Sequence, residues 1–185
     1  MGHYSRRKKL IDHMRSLEAR EINCLNCPGT CCTFEANSMQ VTPIEAHDIL
    51  SYLKNNDLHR PELKTKLNET VQTYRLDKMI STGGKSSLRR TYTCTFFNAK
   101  ELGCSLPKEI KPYGCLAFNA HHKSIKAKEY CFSELNLLEK DESQINSLIS
   151  KAWKLWWEKL PLPMALLEIW DKEILDFSVD DPELD

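Results

Sequence analysis

The sequence predicts a mainly helical α+β protein in which an irregular cysteine-rich core is joined to a short β-hairpin. Three observations predict this class: apolar residues recur at helical spacing in several segments, residues 88–97 read as a strand, and eight cysteines are unevenly distributed. A hydrophobic fraction of 41% in 185 residues is enough to bury one core. We expect residues 1–132 to form a cysteine-cluster domain that begins with a helix. Residues 133–185 are expected to add amphipathic helices and an acidic tail.

The first half of the chain contains two helix signals separated by a turn. A first helix is predicted over about residues 8–20, and its apolar side is formed by Leu10, Ile11, Met14 and Leu17. Pro28-Gly29 then places the first cysteines in a turn. Thr42-Pro43-Ile44-Glu45 is a capping box, so a second helix begins at Pro43 with Glu45 as part of its cap. Its inward side is predicted to be formed by Ala46, Ile49, Leu50 and Leu53.

A third helix and a hairpin follow. The helix is predicted from about Pro61 to a point before Thr82-Gly83-Gly84, and its apolar side is formed by Leu63, Leu67, Val71 and Tyr74. Residues 88–97 are predicted to form a strand. A turn over residues 98–103 then reverses the chain, so we expect a hairpin that brings Cys94 near Cys104. Cys115 and Cys131 are expected in loops or short helices after Pro112.

The C-terminal part is rich in tryptophan. One helix that stops at Pro161 is predicted from an apolar stripe of Ile145, Leu148, Ile149, Ala152, Trp153, Trp156 and Leu160. A second helix is predicted from Met164, Leu167, Trp170, Ile174 and Phe177. Such stripes usually pack in a core, and the alternative is that a protein partner binds these helices. The residues after Phe177 are expected to be a frayed acidic tail.

The interpretation of the cysteines depends on the cellular compartment in which the protein is expected. The first 21 residues carry too many Arg and Lys side chains for a secretory signal, and no stretch approaches the roughly 18 apolar residues of a membrane span. We therefore expect a cytoplasmic protein that does not bind membranes. Stable disulfides are rare in the cytoplasm, so clustered cysteines there predict metal ligands. A bridge between the adjacent Cys31 and Cys32 would also be strained.

All eight cysteines are predicted to bind metal, namely Cys24, Cys27, Cys31, Cys32, Cys94, Cys104, Cys115 and Cys131. Four local and four distant sulfurs match either two four-ligand sites or one polynuclear centre. The predicted metal is zinc or iron, with an iron–sulfur cluster as one form of iron. We expect Cys31 and Cys32 to point in different directions and to serve different ions, or one to act as ligand and one as bridge. Metal would then connect the first turn to the hairpin.

The distribution of charged residues along the chain indicates which kinds of partner the protein is expected to bind. Between residues 85 and 128 there are nine Lys or Arg against two Glu, whereas residues 129–185 contain fourteen Asp or Glu against five Lys. The two regions can be oppositely charged solvated faces, or the basic one can neutralise metal-bound thiolates. Aromatic residues are sparse in the basic segment, and the acidic tail can cover it. These features argue against a nucleic-acid partner.

The ordered cysteine set resembles the YkgJ-type cysteine-cluster family, whose members are regarded as zinc- or iron-chelating domains. The first four cysteines match its Cys-x2-Cys-x3-Cys-Cys signature, and the resemblance covers about residues 20–132. Later matches are Cys94-Thr95-Phe96-Phe97, Cys104, Pro112-Tyr113-Gly114-Cys115-Leu116-Ala117-Phe118 and the closing Cys131. Lys111 and Leu116 stand where the family has arginines. The resemblance implies chelation and leaves the reaction, if any, unspecified.

Two other roles stay open. Flagellin lysine N-methylases resemble the same family in their cysteine motif, so a metal- or iron–sulfur-dependent modifying enzyme is one alternative. The sequence shows no glycine-rich strand–helix turn for S-adenosylmethionine and identifies no catalytic residue. The other alternative is a structural zinc module for a protein partner. His121-His122 are candidate nitrogen ligands, although a solvated pair is favoured, and His47 is expected in the core or at the surface.

Overall fold

The computed structural model describes residues 3–19, 30–78, 80–81, 87–88, 90–100, 103–117 and 137–176. The helices are α1 His3–Glu18, α2 Pro43–Asn55, α3 Pro61–Tyr74, α4 Tyr113–Ala117, α5 Ser143–Trp153 and α6 Leu162–Ile169. A 3₁₀ turn covers Thr30–Cys32, and residues 137–141 are also helical. The mainly helical α+β class is thus confirmed. Over the described ranges, no helix combines the length and the apolar character that crossing a membrane requires.

Strands occur only as two-residue antiparallel pairs in the described residues. The pairs are β1 Gln40–Val41 with β6 Leu160–Pro161, β2 Ile80–Ser81 with β3 Ser87–Leu88, and β4 Phe97–Asn98 with β5 Gly103–Cys104. The hairpin predicted between Cys94 and Cys104 is therefore confirmed, with Phe97 opposite Cys104.

The long strand predicted over residues 88–97 is wrong, because no strand pairs with residues 90–96. Their backbone groups bind the 3₁₀ turn and the irregular segment that follows it instead. The Tyr92 N–H donates to the Asn37 carbonyl at 2.9 Å, and the Cys94 N–H donates to the Cys32 carbonyl at 2.7 Å. The β-branched and aromatic residues of this segment favour a strand, but residues 90–94 have no regular secondary structure and residues 95–96 form a turn.

The three helices predicted in the first half are present, although α1 begins at His3, five residues before its predicted start. In α1, Leu10, Ile11 and Met14 are buried, while the side chain of Leu17 lies outside the described residues. The inward residues predicted for α2 are all buried. In α3, Leu67 is fully buried and Leu63, Val71 and Tyr74 pack partly buried against the core. Both α2 and α3 have proline in their first turn, where a missing N–H costs nothing.

The predicted C-terminal stripe is only partly right. Helix α5 ends at Trp153 because Lys154 adopts a left-handed conformation with φ 54°. This change of direction brings Trp157 into the core and leaves Trp156 73% exposed. Leu148 and Ala152, also assigned to the inward stripe, are exposed, and Leu148 keeps 58% of its surface. In α6 the most deeply buried residues are Ala165, Leu166 and Ile169, whereas the predicted Met164 and Leu167 are only partly buried. Ile174 is 38% exposed, and Phe177 and the predicted acidic tail lie outside the described residues.

The main hydrophobic core joins the two halves of the described chain. Helix α6 packs against both α2 and α3, and α5 packs against α2. Buried residues of this cluster run from Val41 to Trp170. A second, smaller cluster is formed by Leu10, Ile11 and Met14 of α1 with Tyr113 and Leu116 of α4. The domain boundary after residue 132 stays a prediction.

Candidate metal centre

Five of the predicted ligands lie in described residues. Cys31 and Cys32 stand in the 3₁₀ turn, Cys94 in the irregular segment before β4, Cys104 at the end of β5, and Cys115 within α4. Each is partly exposed and none is in a disulfide. The other three predicted ligands, Cys24, Cys27 and Cys131, lie outside the described residues, as do His121 and His122.

Backbone hydrogen bonds connect the first cysteine turn to the hairpin. Cys94 donates its N–H to the Cys32 carbonyl at 2.7 Å, and its own carbonyl accepts the Phe97 N–H at 3.0 Å. Phe97 in turn pairs with Cys104 across the hairpin. Ser105 extends this link, because its N–H donates to the Phe96 carbonyl at 2.9 Å. The first cysteine turn and the hairpin, which are distant in sequence, therefore meet through main-chain contacts.

The adjacent thiols of Cys31 and Cys32 face the same space. Their Sγ atoms are 3.9 Å apart, which differs from the expectation that the two sulfurs point in different directions. In a tetrahedral zinc site with Zn–S bonds of about 2.3 Å, two sulfurs are about 3.8 Å apart. The observed separation is thus compatible with two ligands of a single ion. The tight 3₁₀ turn holds both side chains on one side.

Burial is the main influence on the pKa values of the Cys94 and Cys115 thiols. Although both residues keep some exposed surface, loss of water around the thiol raises the pKa of Cys94 to about 12, and the nearby Cys104 thiol also raises it. The pKa of Cys115 is raised well above its ordinary value by burial first, and then by Cys94, Cys104 and Cys31. These effects indicate that the Cys115 thiol interacts electrostatically with those of Cys94, Cys104 and Cys31, and the Cys94 thiol with that of Cys104.

Basic side chains lie near the same thiols. The positive charge of Lys66 in α3 lowers the pKa of Cys94, and that of Lys111 lowers the pKa of Cys115, although burial outweighs both effects. Lys111 belongs to the basic segment of residues 85–128, and only 7% of its surface is exposed. The charge of Lys111, one residue of that segment, therefore acts on the Cys115 thiol in the sense required for charge neutralisation.

The described residues alone do not complete a metal site. Within the described ranges, no three side chains of His, Cys, Asp or Glu are grouped closely enough to hold an ion. The described cysteines share one region of the protein and influence one another, but their sulfurs do not form a closed coordination shell.

Two polar residues that the sequence analysis did not single out support the segment of residues 90–96. Asn37 is buried and donates from Nδ2 to the Tyr92 carbonyl at 2.9 Å, while its Oδ1 accepts the Met39 N–H at 3.1 Å. The Tyr92 hydroxyl donates to the Met39 carbonyl at 2.6 Å and accepts the Leu162 N–H at 3.2 Å. Burial is the main reason why the pKa of Tyr92 is well above its usual value, and the Cys94 thiol adds to it. No local sequence signal indicates these partners.

Glu45 has a second role beyond the predicted helix cap. Its Oε2 accepts hydrogen bonds from the N–H and the hydroxyl of Thr42, at 2.8 and 2.9 Å. Its Oε1 accepts the Tyr113 N–H at 2.7 Å, so the same carboxyl caps α2 and holds the beginning of α4. Burial raises the pKa of Glu45, and the hydrogen bonds from Thr42 and Tyr113 act in the opposite direction.

Other sequence candidates are accounted for by packing. His47 is buried, its Nε2 is hydrogen-bonded to the Leu175 carbonyl at 3.0 Å, and its ring lies 5.6 Å from that of Trp153. His47 thus takes the structural place in the core that the sequence analysis allowed. Of the four tryptophans, Trp153, Trp157 and Trp170 are buried. The predicted partner surface on the C-terminal helices stays a prediction, with Trp156 as its exposed tryptophan.

Comparison with known proteins finds no family model, no curated protein and no solved structure that matches this chain. The fold and the described cysteines therefore define the protein only as a mainly helical α+β chain whose five described cysteines form no disulfide. The family resemblance given above rests on the cysteine spacing and stays a hypothesis.

Proposed function

We propose that this protein binds zinc or iron through its cysteines, with iron held as an ion or in an iron–sulfur cluster. The observation that carries the proposal is the gathering of thiols from four separate segments without any disulfide among the described ones. Cys31 and Cys32, Cys94, Cys104 and Cys115 come from different elements, and the pKa values of Cys94 and Cys115 respond to neighbouring thiols. Packing alone gives no reason for such a gathering.

The chemistry of the thiols supports a structural or carrier role for the metal more than a reactive-thiol centre. A nucleophilic cysteine needs a lowered pKa, whereas the pKa values of Cys94 and Cys115 are raised by burial. A divalent cation reverses this effect because a coordinating thiol loses its proton. The remaining ligands would come from Cys24, Cys27 and Cys131, which complete the predicted set.

Metal analysis tests the proposal directly. The protein is purified without oxygen, and its metal and acid-labile sulfide contents are measured together with its absorption spectrum. A brown protein that absorbs near ~400 nm and contains sulfide supports a cluster. A colourless protein with tightly held zinc supports a structural site. Protein that contains neither metal, and takes up neither when reconstituted under reducing conditions, contradicts the proposal.

A single substitution tests whether the hairpin belongs to the centre. Cys94→Ser removes one proposed sulfur ligand, so we expect a lower metal content per chain and weaker retention against a chelator. Thr93→Ser is the matched control, since it changes the preceding residue and keeps the hydroxyl that accepts the Phe34 N–H and the Tyr74 hydroxyl. Equal metal content and retention in the two variants would exclude Cys94 from the centre.

In the enzyme alternative, the same metal takes part in the reaction. It requires an open coordination position and a bound substrate, and neither feature is indicated by the described residues. In the structural-module alternative, the metal site supports the binding of a protein partner, and the exposed Trp156 is the proposed contact residue. Zinc that stays bound during prolonged dialysis favours this module, whereas labile metal favours a carrier.

A further inference from the structure

A buried arginine of α1 reaches two other parts of the protein. Arg7 is fully buried, and its Nη1 donates to Asp48 Oδ2 of α2 at 2.6 Å. Its Nε donates to the Lys111 carbonyl at 2.9 Å. The guanidinium thus bridges the second helix and the segment that leads directly into α4. A charge buried so deeply is maintained only where it is paired and hydrogen-bonded.

The same guanidinium also covers the first residue of α4. The Arg7 Cζ atom lies 4.6 Å from the centre of the Tyr113 ring, a distance at which the cation is attracted to the ring face. Tyr113 is fixed at two further points, since its N–H donates to Glu45 and its hydroxyl donates to both oxygens of Glu142 at 2.6 and 2.8 Å. Arg7 therefore belongs to the set of contacts that determines where α4 begins.

Helix α4 depends on such contacts. It has only five residues, Tyr113–Ala117, and a helix this short does not persist in water without tertiary support. Its buried residues Tyr113 and Leu116 pack against the apolar side of α1. Cys115 lies between them in sequence, and its pKa responds to Cys94, Cys104 and Cys31. The position of α4 consequently decides where the Cys115 sulfur stands relative to the other thiols.

We propose that Arg7 is a positioning residue that holds α4, and through it the Cys115 sulfur, in place for the metal centre. This inference rests on the proposed metal binding. It assigns to α1, which contains no cysteine, a part in metal affinity. By reciprocity, metal binding at Cys115 strengthens the docking of α1 on α4.

Arginine suits this role better than lysine. Two separate nitrogens of one rigid, planar group bind Asp48 and the Lys111 carbonyl, and the flat face lies over the Tyr113 ring. Lysine offers a single ammonium on a flexible stem and cannot reproduce this geometry. Arg7→Lys is therefore expected to keep the charge but only part of the positioning.

The test is titration of reduced, metal-free protein with Co²⁺, followed through the sulfur-to-cobalt charge-transfer absorption. We expect Arg7→Met to weaken Co²⁺ affinity by about tenfold, the lower end of what is lost when groups that orient metal ligands are removed. Arg7→Lys should show an intermediate loss. The matched control is Arg15→Met on the same helix, whose guanidinium is 52% exposed and pairs only distantly with Asp12 at 3.8 Å. Its affinity should be unchanged.

A second variant covers the case in which Arg7→Met leaves Asp48 as a buried unpaired charge and unfolds the protein. Arg7→Met combined with Asp48→Leu replaces the ion pair by apolar groups, a change that folded proteins usually tolerate, yet it still lacks the bond to the Lys111 carbonyl. Its affinity should also fall by about tenfold. Iodoacetamide labelling of the metal-free variant, read by mass spectrometry, should show faster modification of Cys115 and an unchanged rate at Cys94.

The outcomes separate this inference from the proposed function. A folded double variant with the Co²⁺ affinity and the Cys115 labelling rate of the original protein overturns the positioning role alone. Original protein that binds no Co²⁺, zinc or iron overturns the proposed function and this inference with it. Loss of affinity in Arg15→Met equal to that in the double variant also contradicts the inference, because it indicates a general effect of altering α1.

Discussion

At Cys94 and Cys115, burial and a bound cation act on the thiol in opposite directions. Burial raises the pKa of Cys94 from 9.0 to about 12 and raises that of Cys115 well above its ordinary value. In the metal-free protein the neutral thiol is therefore the stable form. A divalent cation stabilises the thiolate and displaces the proton. Metal uptake at these residues should release protons and should weaken as the pH falls.

The same pKa shift predicts how the metal-free protein responds to alkali. As the pH rises from 9.0 toward about 12, the unfolded chain loses the Cys94 proton while the folded chain keeps it. The free energy of unfolding should therefore fall over this range, by at most about 1.4 kcal/mol per pH unit for one thiol. Urea unfolding at a series of pH values measures the slope. Cys94→Ser should show a shallower slope, and an unchanged slope would show that Cys94 is not the group responsible.

At the scale of elements, helix ends determine which residues reach the core. Helix α5 closes with Lys154 in the left-handed conformation, and the Leu155 N–H donates to the Ser150 carbonyl at 2.8 Å. Many helices end in this way, with one left-handed residue followed by a hydrogen bond of this kind, and the left-handed residue is usually glycine. Here a lysine occupies the position at some energetic cost, and the chain then presents Trp157 to the core.

The left-handed conformation of Lys154 can be tested by two glycine substitutions that should change the free energy of unfolding in opposite directions. Lys154→Gly removes the steric conflict at φ 54° and should raise the free energy of unfolding by about 1 kcal/mol. Lys151→Gly lies inside the last turn of α5 and should lower it by about 1 kcal/mol. Urea unfolding measures both. A destabilising Lys154→Gly would mean that the lysine side chain makes a contact that outweighs the backbone strain.

At the scale of the whole molecule, the C-terminal helices complete the core formed by α2 and α3. Helix α6 contacts both of them, and β6 pairs with β1 immediately before α2. The small cluster between α1 and α4 is separate, and it lies beside Cys115. The described structure thus has one large core that fixes the helices and one small contact region that supports the candidate metal centre.

Two tryptophans separated by three positions should differ sharply in their contribution to this core. Trp153 is 5% exposed and packs against His47, so Trp153→Ala should lower the free energy of unfolding by about 3–5 kcal/mol. Trp156 is 73% exposed, and Trp156→Ala should change it by no more than about 0.5 kcal/mol. Urea unfolding followed by circular dichroism compares them. Equal losses would contradict a structure in which α5 ends at Trp153 and the Trp156 side chain is exposed.

Part of this architecture was predictable from local signals. The capping box at Thr42–Glu45 and the apolar spacing in α1, α2 and α3 depend on neighbours within a few residues, so the sequence alone predicts these helices and most of their buried sides. The hairpin that brings Cys94 toward Cys104 was predictable for the same reason. The long strand was wrong because its backbone partners, Cys32 and Asn37, are distant in sequence.

The amino-acid sequence by itself determined the mainly helical class, the starts of α2 and α3 and the set of cysteines, because each follows from short-range spacing and residue chemistry. Only the tertiary structure decided that Trp157 and not Trp156 is buried, that Glu45 also holds α4, and that Arg7 joins α2 to the segment before Cys115. These features depend on contacts between distant segments. Burial and hydrogen bonding across such contacts are properties of the folded chain, and no local pattern encodes them.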